Sequence, residues 1–370
     1  MQTEYTQLAK DKLKLLTANF ATTLDDEDEE FMKNLQNKNL AGDDPKLYRY
    51  WEWTQGVGLY GLWKMYSKLH DKKALDILLS YYKRQIGIGF PAKNINTTAP
   101  LLALSFVYEY DKENKAFYEN LMDEWAHYLM TGLPKTEEGG FQHLTSDTLN
   151  HGELWDDTLF MAVLFLANRG KTTGNKKWVE EAKYQFLLHA RYLSDKKTGL
   201  WYHGFTFIGR HNFAEAFWGR GNSWITMAIP ELFSILSLDY AEKKILEGYL
   251  MSQIAALCKY QDESGMWHTL VDDKTSYLEA SATAGFGYGI LKAYEQKLVS
   301  EDARDAALKA VKPIIDLVSS DGVLGMVSYG TPMGRESKDF YKEIPLRPMP
   351  YGQSMAMLFL IQYLIMSEQK

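Results

Sequence analysis

Two kinds of apolar pattern alternate along this chain. In the first, apolar positions recur at helical spacing and charges hold the remaining face, as in Tyr240-Ala241-Glu242-Lys243-Lys244. That predicts helices with one side in solvent. Such stretches fall at 4–20, 71–86, 115–130, 176–192, 241–260 and 301–318. In the second, apolar and small residues run with few charges, with pairs such as Gly58/Gly61 and Ala282/Ala284. That predicts helices buried on most sides, at 55–68, 98–110, 157–169, 222–236, 281–295 and 353–367.

Six outer-then-inner pairs predict an all-α toroid, the (α/α)6 barrel, with a single domain occupying residues 1–370. A length of 370 residues would by itself suggest two or three domains, but no Pro/Ser-rich linker or charge block divides the chain. Several loops before inner stretches carry a glycine-apolar signal: Gly140-Phe141-Gln142-His143, Gly199-Leu200-Trp201-Tyr202-His203, Gly265-Met266-Trp267-His268 and Gly322-Val323-Leu324-Gly325. All would emerge on one rim of the toroid, where short β-hairpins would wall a cleft.

Composition then removes function classes. With 41 basic and 48 acidic residues, the net charge of -7 offers no overall attraction to nucleic acid or anionic lipid. The apolar stretch 356–366 is interrupted by Gln362 and is shorter than the ~20 residues of a membrane span. The single cysteine, Cys258, cannot form an internal disulfide, and the start MQTEYTQLAK lacks a secretory pattern, so a cytoplasmic location is expected. Aromatics, at 14% of the chain, exceed what a core obviously needs. Trp51, Trp53, Trp155, Trp201, Trp218, Trp224 and Trp267 all fall in or beside rim loops and are expected to line a sugar cleft.

The rim also holds the candidate chemistry. Asp156 and Asp157 open the third inner stretch, within reach in sequence of His143, His151, Glu153 and Trp155. Paired Asp at a helix start can simply cap it; the alternative is acid/base work. A general acid needs a raised pKa, which a helix N-terminus opposes, so burial or a like charge such as Asp156 must outweigh it. Opening the fourth inner stretch, Gly219 and Gly221 flank Arg220, one turn from Trp224. A fixed cation beside a flat ring suits a sugar carboxylate, and pure packing would also account for it. His203 and His268 occupy like places in consecutive repeats. None of the rim histidines forms a His-x-x-x-His pair or adjoins a cysteine pair, so no metal and no other cofactor is expected. No Gly-x-Ser-x-Gly elbow is present and Cys258 lies in an outer-helix pattern, so serine and cysteine nucleophiles are unsupported. Tyr48-Arg49-Tyr50-Trp51-Glu52-Trp53 and Lys93-Asn94-Ile95-Asn96-Thr97-Thr98 offer rings and amides for further sugar contacts, or for packing and capping.

The stretches Asn96-Thr97-Thr98-Ala99-Pro100, Asp157-Thr158-Leu159-Phe160-Met161 and Trp218-Gly219-Arg220-Gly221-Asn222-Ser223-Trp224, in this order on the six-pair pattern, resemble the unsaturated rhamnogalacturonyl hydrolases of glycoside hydrolase family 105. These are relatives of the unsaturated glucuronyl hydrolases of family 88. The likeness runs to the late Gly330-Thr331…Gly334…Phe340-Tyr341 loop. It implies a hydrolase that removes a 4,5-unsaturated uronic acid, galacturonyl linked to rhamnose, from pectin oligosaccharides made by lyases. In that chemistry one carboxyl protonates C4 of a vinyl ether and water adds at C5, in contrast to the facing carboxylate pair of ordinary glycosidases. By motif position Asp157 is the acid/base, Trp155 packs near the ring, Arg220 binds the uronate carboxylate, Trp224 stacks, and His143 and His203 hydrogen-bond the sugar. Asn96 stands where the glucuronyl relatives carry a second Asp. The implied partner is a small oligosaccharide, bound by a monomer or homodimer. Competing readings are an unsaturated glucuronyl hydrolase, another (α/α)6 glycosidase or epimerase with Glu153 or Asp156 across the cleft from Asp157, and a carbohydrate-binding protein without chemistry.

Overall fold

The stretches with one charged face fold as outer helices Gln2–Thr22, Lys72–Ile88, Lys115–Thr131, Lys176–Leu193, Tyr240–Tyr260 and, in two pieces, Glu301–Lys309 and Val311–Leu317. The apolar stretches fold as inner helices Trp53–Leu69, Pro100–Val107, Leu164–Thr173 with a π-helical lead-in Leu159–Val163, Gly219–Ile235, Ala280–Glu295 and Pro350–Glu368. This is a computed structural model, which describes residues 2–25 and 39–368. Local chemistry sets the helix ends: Asp71, Asn175 and Ser300 accept backbone N–H bonds at three starts, and Gly174 closes another helix in the left-handed conformation. The sixth outer helix, expected as one piece, breaks at Ala310 because Pro313 has no N–H for the Lys309 carbonyl.

Each inner helix packs on the next, first on second through fifth on sixth, and the sixth packs back on the first. The ring therefore closes as the (α/α)6 barrel, with outer helices covering the grooves from outside. Leu358, Phe359 and Leu360 of the last inner helix are consecutive and all fully buried, as a helix surrounded on every side requires.

The rim is built by a repeated turn. Gly199, Gly265 and Gly322 have φ of +84°, +88° and +79°, and a Cβ on each would sit 2.5, 2.6 and 2.1 Å from a carbonyl oxygen of a neighbouring outer helix. Only glycine meets both demands. Bridges Lys135/Phe141, Ser194/Trp201 and Val318/Leu324 form the expected short hairpins. An antiparallel pair that was not expected, β1 (Glu153–Trp155) with β2 (Gly204–Thr206), ties the third and fourth rim loops together. The aromatics divide differently from the expectation. Trp51, Trp201 and Trp267 are buried in the core, and Trp51 and Trp267 each donate Nε1–H to a backbone carbonyl at 2.8 Å. These rings plug the rim loops onto the barrel instead of lining a cleft. Among the described residues no helix is long and apolar enough to cross a membrane.

Candidate active site

Strand β1 carries the chain through Trp155 to Asp156, and the third inner helix begins at Asp157. Trp155 pairs with Gly204 across the two strands, and the Asp156 N–H donates to the His203 carbonyl at 3.0 Å. This register sets both carboxyls beside the His203 imidazole, whose Nε2 lies 3.7 Å from Asp157 Oδ2. Asp156, Asp157 and His203 each bring a donor atom within 4.8 Å of the others, the one such group among the described residues. Neither carboxylate accepts an N–H from two or three residues further on, so the capping role does not occur here. Asp156 is fully buried against the start of the fourth inner helix, where a Cβ at Gly221 would come within 2.2 Å of its Oδ2. Gly221 thus makes room for a carboxyl, rather than for the Arg220 guanidinium.

The two neighbouring carboxyls are driven apart. Burial, then the charge of Asp157, raises Asp156 well above the ordinary carboxylate value. Burial would also raise Asp157, but the nearby His203 and Asp156 side chains outweigh it and hold Asp157 below that value. The shift required of an acid therefore falls on Asp156. Burial lowers both neighbouring imidazoles, His143 to about 4, against the pull of Asp157.

Around this group the rings interlock. His143 stacks on Trp155 with centroids 4.5 Å apart and its Nδ1 lies 2.8 Å from Thr158 Oγ1. Trp155 meets His203 edge-on at 5.1 Å and donates Nε1–H to Glu153, which pairs with Arg335 at 2.8 Å. Glu153 is thereby occupied, and Asp156 adjoins Asp157 instead of facing it, so neither supplies the opposing carboxylate of an inverting glycosidase.

Arg220 is 1% exposed and donates to the Ser328 carbonyl and hydroxyl, the Tyr329 carbonyl and Thr331 Oγ1 at 2.5–3.2 Å. Its guanidinium lies between the rings of Trp218 and Tyr351. It pins residues 328–331 to the fourth inner helix, and of its nitrogens Nε alone has no partner in the protein. Trp224 is fully buried with an unpartnered Nε1, behind the half-buried Trp53, which it meets edge-on at 6.2 Å. Asn96 is half-buried on the short helix Ile95–Thr98 and its side chain makes no hydrogen bond among the described residues. Beside that helix Asn94 and Glu52 are joined through Ser146, and burial raises Glu52 to about 7. His268 is held by Ser276 and Asp262 of its own loop, and His151 is exposed; neither joins the group.

Sequence reasoning missed Glu279 and the link from Tyr341 to His203. Buried Glu279 caps the fifth inner helix, accepts the Ser328 N–H at 2.8 Å and lies 4.0 Å from Arg220. A Glu just ahead of a helix of small residues was its one available signal. For Tyr341 the family likeness of the Phe340-Tyr341 loop was the one signal, and it gave no hint of His203, because the contact spans 138 residues. The buried polar atoms that lack a partner in the protein include Asp156 Oδ1 and Oδ2, Asp157 Oδ2, His203 Nε2, Arg220 Nε and Trp224 Nε1. Such a concentration marks a surface made for a polar ligand.

A helical toroid with buried carboxyls among stacked rings on its rim suits a glycoside hydrolase, whose chemistry rests on carboxyl groups at the scissile bond. The chain belongs to glycosyl hydrolase family 88, whose model matches residues 23–367. It is 30% identical over 321 residues to the unsaturated rhamnogalacturonyl hydrolase YesR of Bacillus subtilis, covering 85% of this chain and 90% of that one. Crystal structures of possible GH105 family members from Salmonella enterica and Klebsiella pneumoniae superpose with TM-scores of 0.88 and 0.89 at 45% and 44% identity. Each comparison covers 96% of this chain, and 94% and 93% of those chains respectively.

Proposed function

We propose that this glycoside hydrolase, a single catalytic unit acting in the cytoplasm as a monomer or homodimer, removes a 4,5-unsaturated galacturonyl residue linked to rhamnose from lyase-generated pectin oligosaccharides. The similarity to YesR supports the substrate class, and the lone half-buried Cys258 suits a reducing compartment. One observation carries the mechanism: two adjacent carboxyls share one side of the site, one sealed and one whose side chain is 16% exposed.

At neutral pH the pair holds one proton, stored on Asp156 by burial. The substrate brings its own carboxylate and displaces water, and both raise the proton affinity of Asp157. The proton passes from Asp156 to Asp157, which gives it to C4, the π electrons forming the new C–H bond, and positive charge develops at C5 and the ring oxygen. Water adds at C5 and its proton returns to Asp157. The hemiketal opens to a C5 ketone, leaving a hemiacetal at C1 that expels the neighbouring sugar. His203 and His143 hydrogen-bond the sugar, Trp155 packs beside it, and Asn96 with Trp53, which fully buried Trp224 backs, completes the wall. Arg220 acts on the uronate carboxylate through its buried charge and by fixing residues 328–331, since its fork is already engaged. The Asp156, Asp157 and His203 group serves as a proton store, which is what a sealed carboxyl of raised proton affinity provides. No cofactor enters these steps.

Incubation with unsaturated galacturonyl-rhamnose tests the reading directly. Loss of the ultraviolet absorbance of the conjugated carboxylate should match sugar release mole for mole. Sugar release with the absorbance retained would overturn hydration, and faster loss with the glucuronyl counterpart would move the enzyme to that branch.

A further inference from the structure

Tyr341 stands on the short helix Phe340–Glu343 in the loop before the last inner helix. Its hydroxyl lies 2.6 Å from His203 Nδ1 and accepts the Gly334 N–H at 3.0 Å. Burial keeps the phenol protonated, so it has one proton to donate. The other acceptor in reach, Met333 Sδ, is 3.8 Å away and weak. The reverse arrangement, with Nδ1–H donating to the phenol, would aim a bare Nε2 lone pair at Asp157 Oδ2 across 3.7 Å. Nδ1 is therefore the acceptor and Nε2 carries the proton.

We propose that Tyr341 is a positioning residue for the reaction: its hydroxyl locks His203 as the Nε2–H tautomer, which directs that N–H at Asp157 and at the reacting end of the sugar. The inference rests on reading Asp157 as the acid/base. A bond accepted at Nδ1 also favours the neutral ring over imidazolium. An imidazolium beside Asp157 would weaken that carboxyl's hold on the proton it must deliver. The other charged or titratable groups around His203 are Asp156, Arg220 and Glu153, with the rings of Trp155 and Trp218 packed against it, and His143 lies on the far side of Trp155. A Cβ at Gly334 would lie 2.4 Å from Tyr341 Cε2, so seating the phenol depends on a residue without a side chain.

The test is Tyr341→Phe, which keeps the ring packed against Trp218, read by nitrogen-15 NMR of the His203 ring and by steady-state kinetics. The wild type should show a neutral Nε2–H imidazole from about pH 6 to 8. The variant should show mixed tautomers or imidazolium in that range. Its kcat should fall roughly 10- to 100-fold with KM changed less than about twofold, and the acid limb of its kcat profile should move to higher pH. An unchanged tautomer, or a raised KM with kcat retained, would overturn the proposal. Gly334→Ala displaces the ring without altering the phenol and should reproduce the same spectrum, so it replaces the first variant if that one does not fold. If the tautomer behaves as stated while unsaturated disaccharides are not turned over, the proposed function fails and the lock stands.

Discussion

Two groups of charged side chains buried in the barrel are satisfied in opposite ways. On the rim, Asp156, Asp157 and His203 lie together with four of their side-chain polar atoms lacking a partner in the protein. About 18 Å further along the fourth inner helix, twelve residues from its start at 1.5 Å each, Glu231 is fully buried and fully engaged. It accepts Tyr60 Oη at 2.6 Å, Lys64 Nζ at 2.8 Å and the Tyr288 hydroxyl, which joins the first, fourth and fifth inner helices. Burial would raise Glu231, but the charges of Lys64 and Lys292 outweigh it and lower the group to about 2. The Glu231 group is built to hold helices together. The rim group keeps hydrogen-bonding capacity in reserve, and a bound sugar can use it.

Four substitutions test that contrast, beginning with the largest effect. Asp157→Asn should lower kcat by about 10³-fold or more while leaving the thermal unfolding midpoint unchanged. A near-normal rate would remove Asp157 from the mechanism. Glu231→Gln should do the reverse, costing about 3–5 kcal/mol in urea unfolding because Lys64 loses its buried partner and Lys292 a compensating charge, with kcat kept in the folded fraction. Because Glu231 titrates below its ordinary value of 4.5, its stabilisation is present above that pH and is lost as pH falls towards 2. The wild type should therefore lose more stability over this window than the variant does.

Asp156→Asn should slow turnover roughly 10- to 100-fold, less than Asp157→Asn, by removing the stored proton. The same change should raise the melting temperature at pH 7. A carboxyl whose folded value is raised contributes stability below its unfolded value of 3.8 and loses that contribution as pH climbs, so the gain should shrink towards pH 4. Equal gains at both pH values would contradict a protonated Asp156. Asn96→Asp should have the smallest effect, shifting preference towards glucuronyl substrates by less than about tenfold, as measured by kcat/KM on the two disaccharides.

The six helix pairs were legible because burial on one side and burial on all sides leave different marks on hydrophobic spacing. The hairpin turns were legible because Gly199, Gly265 and Gly322 meet a backbone demand that no other residue satisfies. The aromatic surplus misled in part, since a buried Trp201 and a cleft-lining ring have the same local sequence character. Arg220 was found, but its four contacts to residues 328–331 lie more than a hundred positions away and leave no trace near it. The pairing of β1 with β2, which sets Asp157 against His203, joins two segments of three residues each with no periodicity to detect.

Spacing along the chain determined the toroid and the candidate carboxyls, because the burial of one helix face is written in its own neighbouring residues. The tertiary structure alone decided which carboxyl of the pair is raised, that Nε2 of His203 faces the other, and that both Nη atoms of Arg220 are already engaged. Each of those depends on desolvation and on partners brought in from distant parts of the chain, and protonation follows surroundings instead of residue type.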